Sequence, residues 1–377
     1  MKLVIAGGGT GGHLFPGIAV AEALLEIDPT AEVLFVGTER GIESRAVPKA
    51  GFKLALVNVA GLKGQNVGHQ LKTLAKLPAS LLASRKILRD FDADAVIGVG
   101  GYASGPLLVA AKTLGMPTAV CEQNSVPGIT NRILAKLVDV VFVTFASSAP
   151  FFPARKVKLV GNPVRRSFRQ AAATTAPAFE RGLVFIFGGS QGARPLNEMA
   201  PVALGLLKQQ GLDVRALHQA GRDAVDGVEK AYGDAGVTAQ VTPFIDDMVD
   251  AYRRAHIVVC RAGATSCAEL TALGVPAILV PFPQAADDHQ TKNAADLVTQ
   301  GAAVLLSQKA MTPASLAAEI ERLLKNDDTR RDIADSATRA GRLQAAEVIA
   351  RAAIAGFRAR ASHSEGTTSA LHRPEPA

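Results

Sequence analysis

The chain opens on a short apolar run, 3–6, that breaks straight into Gly7-Gly8-Gly9-Thr10-Gly11-Gly12-His13 and then into a stretch of helical periodicity. This succession of apolar run, turn and helical pattern recurs along the sequence. Apolar runs without alternation are buried on both faces, and their regular interleaving with helical stretches is the pattern of a parallel sheet covered by helices. Runs at 3–6, 33–36, 95–97, 118–120 and 140–143 predict strands of a first unit, and 183–187, 214–217, 257–259 and 277–280 those of a second. Between them, 170–182 is rich in Ala, Thr and Pro and has no periodicity, so it reads as a connector. A length of 377 residues suits two domains. The expected division is 1–163, 164–340, a C-terminal helix at 341–358 and a tail at 359–377 too poor in apolar residues to pack.

The expected fold class is therefore α/β, with two Rossmann-like parallel-sheet domains facing across a cleft. An internal echo supports the pairing. Gly100-Gly101-Tyr102-Ala103-Ser104-Gly105 opens a helical stretch that stops at Leu114-Gly115-Met116-Pro117 and feeds a strand. Arg261-Ala262-Gly263-Ala264-Thr265-Ser266 opens one that stops at Leu273-Gly274-Val275-Pro276 and does the same. Glycine at a helix stop followed by proline is also an ordinary C-cap, so two unrelated helix ends would read alike. Residues 314–358 carry helical spacing broken at Asn326-Asp327-Asp328, which predicts at least two helices.

The first glycine loop follows a strand and opens a helix. Glycine permits close backbone approach, and a helix N-terminus offers unpaired N–H groups with partial positive charge, so an anion or sugar oxygens suit this place. Gly7, Gly9 and Gly12 also match dinucleotide-binding spacing, with Glu39 after the second strand as a ribose acid. A nicotinamide-dependent oxidoreductase is the rival reading, and a turn that merely joins strand to helix is the plain one. The second unit opens on Gly188-Gly189-Ser190-Gln191-Gly192-Ala193. A diphosphate fits this turn, and Ser190 equally suits a helix N-cap. Glu269, a few residues into the helix after Arg261, is placed for both hydroxyls of a ribose or is an exposed helix acid. Arg165, near the junction of the units, offers a planar donor fork to a phosphate or is a solvated charge.

Lys and Arg number 41 against 34 Asp and Glu, a net charge of +7, so an anionic partner is expected. The basic stretch 44–89 contains no Asp or Glu. Within it Leu71, Leu74, Leu77, Leu81 and Leu82 recur at helical spacing among Lys72, Lys76 and Arg85, as in an interfacial segment on an anionic membrane or a core-facing helix with a basic outer face. Nucleic acid is not expected, because Trp is absent and Tyr numbers only 3, which leaves the basic stretch poor in aromatics for base stacking. Cys121, Cys260 and Cys267 form no disulfide framework, which fits a reducing compartment. No apolar stretch reaches the roughly 20 residues that span a bilayer, and residues 1–6 are too short for a signal peptide. Asp287-Asp288-His289 has no second ligand cluster, so neither metal nor cofactor is expected.

The strings Gly8-Gly9-Thr10-Gly11-Gly12-His13-Leu14-Phe15-Pro16-Gly17, Gly100-Gly101-Tyr102, Glu122-Gln123-Asn124, Gly161-Asn162-Pro163-Val164-Arg165, Gly188 to Ala193 and Phe244-Ile245-Asp246-Asp247-Met248 closely resemble a bacterial family of glycosyltransferases. These are the N-acetylglucosaminyltransferases that convert lipid I to lipid II in peptidoglycan synthesis. The resemblance runs from Met1 to about Ala355, with the motifs in order. It implies a glycosyltransferase-B fold, with UDP-GlcNAc held mainly by the C-terminal domain and lipid I, the undecaprenyl-pyrophosphoryl-MurNAc-pentapeptide, by the N-terminal one. It places Ser190 and Arg165 on the diphosphate with Gly189 alongside, Ile245 on the uracil through its backbone, Glu269 on the ribose and Gln290 on the GlcNAc hydroxyls. Arg261, Ala264, Thr265 and Ser266 frame the donor, Thr10, Gly11, Gly12 and Asn124 complete the donor site from the N-terminal side, and Tyr102 is a further substrate-binding residue.

Two departures stand out: Ala264-Thr265-Ser266 replaces the family's Ala-Leu-Thr, and His289-Gln290 replaces its double Gln. Inverting transfer needs one base; His13 is the first candidate, since imidazole titrates near neutral pH, and also suits helix capping. Glu122 is the second. The implied location is peripheral, on the cytoplasmic side of the inner membrane, with cell-wall synthesis proteins as further partners. A scaffold that only binds anionic lipid is a third reading.

Overall fold

The computed structural model describes residues 1–38, 41–57, 67–101, 103–174, 179–189 and 191–357, with backbone alone over 67–77. The tail 359–377 lies outside the described residues. Seven strands form the first sheet: β1 (Lys2–Gly7), β2 (Glu32–Gly37), β3 (Lys53–Leu56), β4 (Ala95–Gly100), β5 (Thr118–Glu122), β6 (Val140–Val143) and β7 (Val157–Leu159). Six form the second: β8 (Leu183–Phe187), β9 (Arg215–Gln219), β10 (Thr238–Thr242), β11 (Ile257–Cys260), β12 (Ala277–Leu279) and β13 (Val304–Leu305). Every pairing is parallel. The orders are β3-β2-β1-β4-β5-β6-β7 and β10-β9-β8-β11-β12-β13. Aligned on β1 and β8, the two orders are the same except that the first sheet carries one extra edge strand. This is the two-domain α/β architecture that the alternation predicts.

Four strands escape the apolar-run reading: β3, β7, β10 and β13. All four are sheet edges, where one flank is solvated and the burial pattern is broken. Interior strands carry cores on both faces. In β1, Leu3 and Ile5 pack with Leu14, Ile18 and Leu24 of the helix Gly11–Ile27, while Val4 and Ala6 pack with Leu107, Leu108 and Ala111 of the helix Ser104–Thr113. In β8, Val184 and Ile186 face Leu196, Leu204, Leu316 and Ile320, and Phe185 and Phe187 face Phe168, Tyr252 and Leu270.

The C-terminal helix, Ala345–Ile354, returns to the first sheet, where Ala346, Ile349, Ala350 and Ala353 join the core around Leu3 and Phe35. The break at Asn326 separates the helices Pro313–Lys325 and Asp327–Ala340, and the Asn326 side chain accepts the Thr329 N–H at 2.9 Å as N-cap of the second. The internal echo holds in three dimensions. The helices Ser104–Thr113 and Ala264–Leu273 follow β4 and β11, end at left-handed Gly115 (φ 73) and Gly274 (φ 64), and feed β5 and β12.

Parallel strands put their loops of common direction at one edge, so each sheet presents its glycine turns at the carboxyl ends of the strands. The two domains meet through Ser125 and Ser147, whose hydroxyls donate to Asp296 at 2.8 and 2.7 Å, and through the Ser125 N–H on Asn293 Oδ1 at 2.9 Å. Arg169 adds a bidentate contact to Glu26 at 2.7 and 3.2 Å.

Candidate active site

Thr10 is the N-cap of the helix Gly11–Ile27, yet its side chain makes no capping bond and no acid stands in the first turn. Gly263 caps the helix Ala264–Leu273 from the other domain, likewise without a side-chain bond. The Thr265 hydroxyl donates to the Gly12 carbonyl at 3.4 Å. Two helix N-termini, each with unspent N–H groups and partial positive charge, therefore meet across the domain boundary. The arrangement brings Thr10, Gly11, Gly12, Ala264, Thr265 and Ser266 to one place, with the geometry that suits an anion held from both halves.

His13 stands in the first turn of the N-terminal helix. Its Nδ1 lies 3.0 Å from Gln123 Oε1, and the Gln123 amide nitrogen donates to the Val99 carbonyl at 3.0 Å. The second bond orients the amide, so its oxygen faces the imidazole and accepts a hydrogen bond from the Nδ1–H. Nε2 is then left with its lone pair free, the form a general base needs. Gln123, 1% exposed, is a residue whose role the sequence does not announce.

Glu122 is buried, and both oxygens are engaged, Oε1 by the Asn124 N–H at 2.9 Å and Oε2 by the Asn131 amide at 2.8 Å. Burial pushes its pKa up, against the Asn124 and Asn131 bonds and the nearby His13 charge, which lower it.

On the C-terminal side, the expected phosphate and ribose residues meet each other. Arg165 Nη2 donates to Glu269 Oε1 at 3.1 Å, and the Tyr252 hydroxyl donates to Oε2 at 3.3 Å. The Arg165 guanidinium lies over the rings of Phe15 and Phe168 at 4.8 and 5.2 Å, which spans the two domains. Burial raises the Glu269 pKa, and Arg165 opposes the shift.

Gln219, missed at sequence level, ties two expected donor contacts together: its amide donates to the Gly189 carbonyl at 2.7 Å and accepts the Ile245 N–H at 3.0 Å. The Ile245 N–H is thus spent, and its carbonyl is the backbone group left for a base. Arg261 is 7% exposed and turns Nη1 to the carbonyls of Val280 and Pro281 at 3.0 and 3.1 Å, joining the ends of β11 and β12. Gln290 accepts the Phe282 N–H at 2.9 Å, and Asn124 accepts from Asn293 at 3.2 Å. Tyr102, Ser190 and Glu39 lie outside the described residues. Among the described residues no group of three or more His, Cys, Asp or Glu could hold a metal ion.

The N-terminal domain of glycosyltransferase family 28 matches residues 3–143, and the family's C-terminal domain matches 183–351. A UDP-N-acetylglucosamine–N-acetylmuramyl-(pentapeptide) pyrophosphoryl-undecaprenol N-acetylglucosamine transferase of Syntrophus aciditrophicus is 46% identical over 358 residues, 95% of this chain and 99% of its own length. One of the same name from Myxococcus xanthus is 47% identical over 350 residues, 93% of this chain and 91% of its own. The crystal structure of Acinetobacter baumannii MurG superposes with a TM-score of 0.74 at 32% identity, covering 93% of this chain and 98% of that one. These matches leave no place for the oxidoreductase reading of the first glycine loop. The chain belongs to glycosyltransferase family 28.

Proposed function

We propose that this protein transfers GlcNAc from UDP-GlcNAc to the 4-hydroxyl of MurNAc in lipid I, giving lipid II. The observation that carries the reading is the meeting of two uncapped helix N-termini, one from each domain, next to His13. Relatives named for this transfer, matching over nearly their whole length, support it. The acceptor hydroxyl attacks C1 of the α-linked donor as its proton passes to His13 Nε2; the C1–O bond to the diphosphate breaks, UDP leaves, and a β-1,4 linkage forms. Glu122 stabilises the resulting imidazolium. Charge growing on UDP is met by the N–H groups at Ala264 to Ser266, the turn at Gly189 and Ser190, and Arg165. Preorganised donors of this kind contribute roughly 3–4 kcal/mol each. Glu269 takes the ribose hydroxyls, Ile245 the uracil, Gln290 and Asn124 the sugar, and Tyr102 the acceptor side. An assay with a lipid I analogue and UDP-GlcNAc in EDTA tests this: full turnover to lipid II is expected, and absent transfer or loss of turnover in EDTA sinks it.

The acceptor's lipid asks for a membrane surface, and no helix among the described residues is long and apolar enough to cross one. We place the protein at the cytoplasmic face of the inner membrane, held through its N-terminal domain. Leu82, in the basic helix Val67–Phe91, is 68% exposed. A second patch supports the same reading. Ile129, Ile133, Leu137 and Phe151 are exposed large apolar residues, with Arg132 over the Phe151 ring at 4.4 Å and exposed Lys136 and Arg155 beside them. Changing Lys72, Lys76, Arg85 and Lys86 together to Gln is expected to weaken binding to anionic vesicles by roughly 10³-fold at low salt, taking about 1 kcal/mol per basic residue. UDP binding should stay intact; unchanged co-sedimentation with vesicles would refute the membrane face.

A further inference from the structure

Glu43 opens the short helix Glu43–Lys49, and it is 1% exposed. Its Oε2 accepts the Gly9 N–H at 2.8 Å, and its Oε1 accepts the Thr38 N–H and hydroxyl, both at 2.9 Å. Burial pushes its pKa up, but the main-chain bonds from Gly9 and Thr38 outweigh this and hold it below the ordinary carboxylate range, so it is ionised at neutral pH. A buried charge is costly unless fully hydrogen-bonded, so this one fixes whatever supplies its donors.

The slot around the carboxylate is shaped by glycine. A Cβ at Gly8 or Gly41 would overlap the carboxylate, and one at Gly37 would lie 2.5 Å from Glu43 Cγ. The opposite side of the loop is equally tight: a Cβ at Gly101 would lie 2.5 Å from the Gly8 carbonyl oxygen, and one at Gly100 would lie 2.7 Å from His13 Nδ1. The first glycine loop is therefore clasped between the Glu43 carboxylate and the turn after β4. Neither Thr10 nor any first-turn acid anchors the helix start from within, so Gly9 is the place where an outside group holds it.

We propose that Glu43 is a positioning residue for the transfer reaction: by holding Gly9 it sets where the Thr10–Gly12 backbone and His13 stand in the cleft. The inference rests on the transferase reading above. Glu43 does not touch substrate; it acts through the loop that carries the base and the N-terminal half of the anion site, while the ribose and uracil contacts proposed above, which hold the nucleotide before reaction, belong to the other domain.

Glu43→Gln is the test. The amide keeps an oxygen for the two Thr38 donors but turns an NH2 toward the Gly9 N–H, so the loop bond is lost in a side chain of the same shape. With a lipid I analogue, kcat is expected to fall by roughly 10- to 100-fold, the scale for a small misplacement of reacting groups. The KM for UDP-GlcNAc and the UDP Kd should stay within about twofold, and hydrogen exchange over residues 7–14 should quicken. A kcat within about threefold of wild type, despite the quicker exchange, overturns the proposal. So does a parallel loss of kcat and UDP affinity, which would mean that Glu43 merely props up the fold. Were the wild type itself inactive in transfer, the transferase reading and this inference would fall together; an active wild type with an unimpaired variant removes the inference alone.

Discussion

Alanine at position 13 is expected to lower kcat for GlcNAc transfer by roughly 10²- to 10⁴-fold while the KM for UDP-GlcNAc changes by no more than about twofold. The argument starts from an amide. Gln123 donates to the Val99 carbonyl, so its oxygen must face His13, and the proton of the neutral imidazole is placed on Nδ1. Nε2 then carries the lone pair and accepts the proton of the attacking hydroxyl. Behind it, Glu122 is buried with both oxygens fixed by Asn124 and Asn131, a negative charge that gains value as the ring becomes cationic. Removing the imidazole takes away the base but leaves the nucleotide contacts of the other domain untouched, so the loss belongs in kcat. A His13→Ala enzyme with normal kcat and a much higher donor KM would reverse the assignment. The companion change Glu122→Gln should cost less than loss of the base itself: the amide still accepts the Asn124 N–H, while the bond from the Asn131 amide and the charge behind the imidazolium are lost.

How far the sequence reveals this molecule depends on the range over which each signal acts. Strands inside a parallel sheet are apolar on both faces, so β1, β4, β8 and β11 stand out as unbroken runs. The edge strands β3, β7, β10 and β13 face water on one flank and blend into their surroundings. Glycine loops are legible because turn chemistry is local. Their partners are not: Glu43 reaches Gly9 across 34 positions, and Gln219 reaches Gly189 across 30. No spacing rule ties such pairs; only the strand order that sets β2 beside β1 and β9 beside β8 does so. The sequence points to Glu39, after the second apolar run, as the acid of the first loop; among the described residues the acid on the loop is Glu43, bonded to an N–H that a dinucleotide phosphate would need. Arg165 and Glu269 were each readable as nucleotide ligands, but their mutual contact depends on how the junction between the domains folds back on the second sheet.

That contact shapes the second large effect. Glu269→Ala is expected to raise the KM for UDP-GlcNAc by roughly 10- to 100-fold, the value of one charge-assisted hydrogen bond to the ribose at about 1.5–3 kcal/mol, with kcat much less affected. The same change strips the partner from the partly buried Arg165 and from the Tyr252 hydroxyl, so the melting temperature should fall as well. Glu269→Gln separates the two losses, since its amide oxygen still accepts from Arg165 while the charge that grips the ribose is gone.

A pH dependence follows with a definite sign. Burial raises the Glu269 pKa and Arg165 opposes the shift. The carboxylate needed for the ribose is therefore lost as the pH falls at a higher pH than for an ordinary glutamate. The wild-type KM for UDP-GlcNAc should climb on the acid side, and Arg165→Met, which leaves burial unopposed, should move that climb toward neutrality. A donor KM that stays flat with pH in both proteins would mean that the ribose is held by something other than this carboxylate.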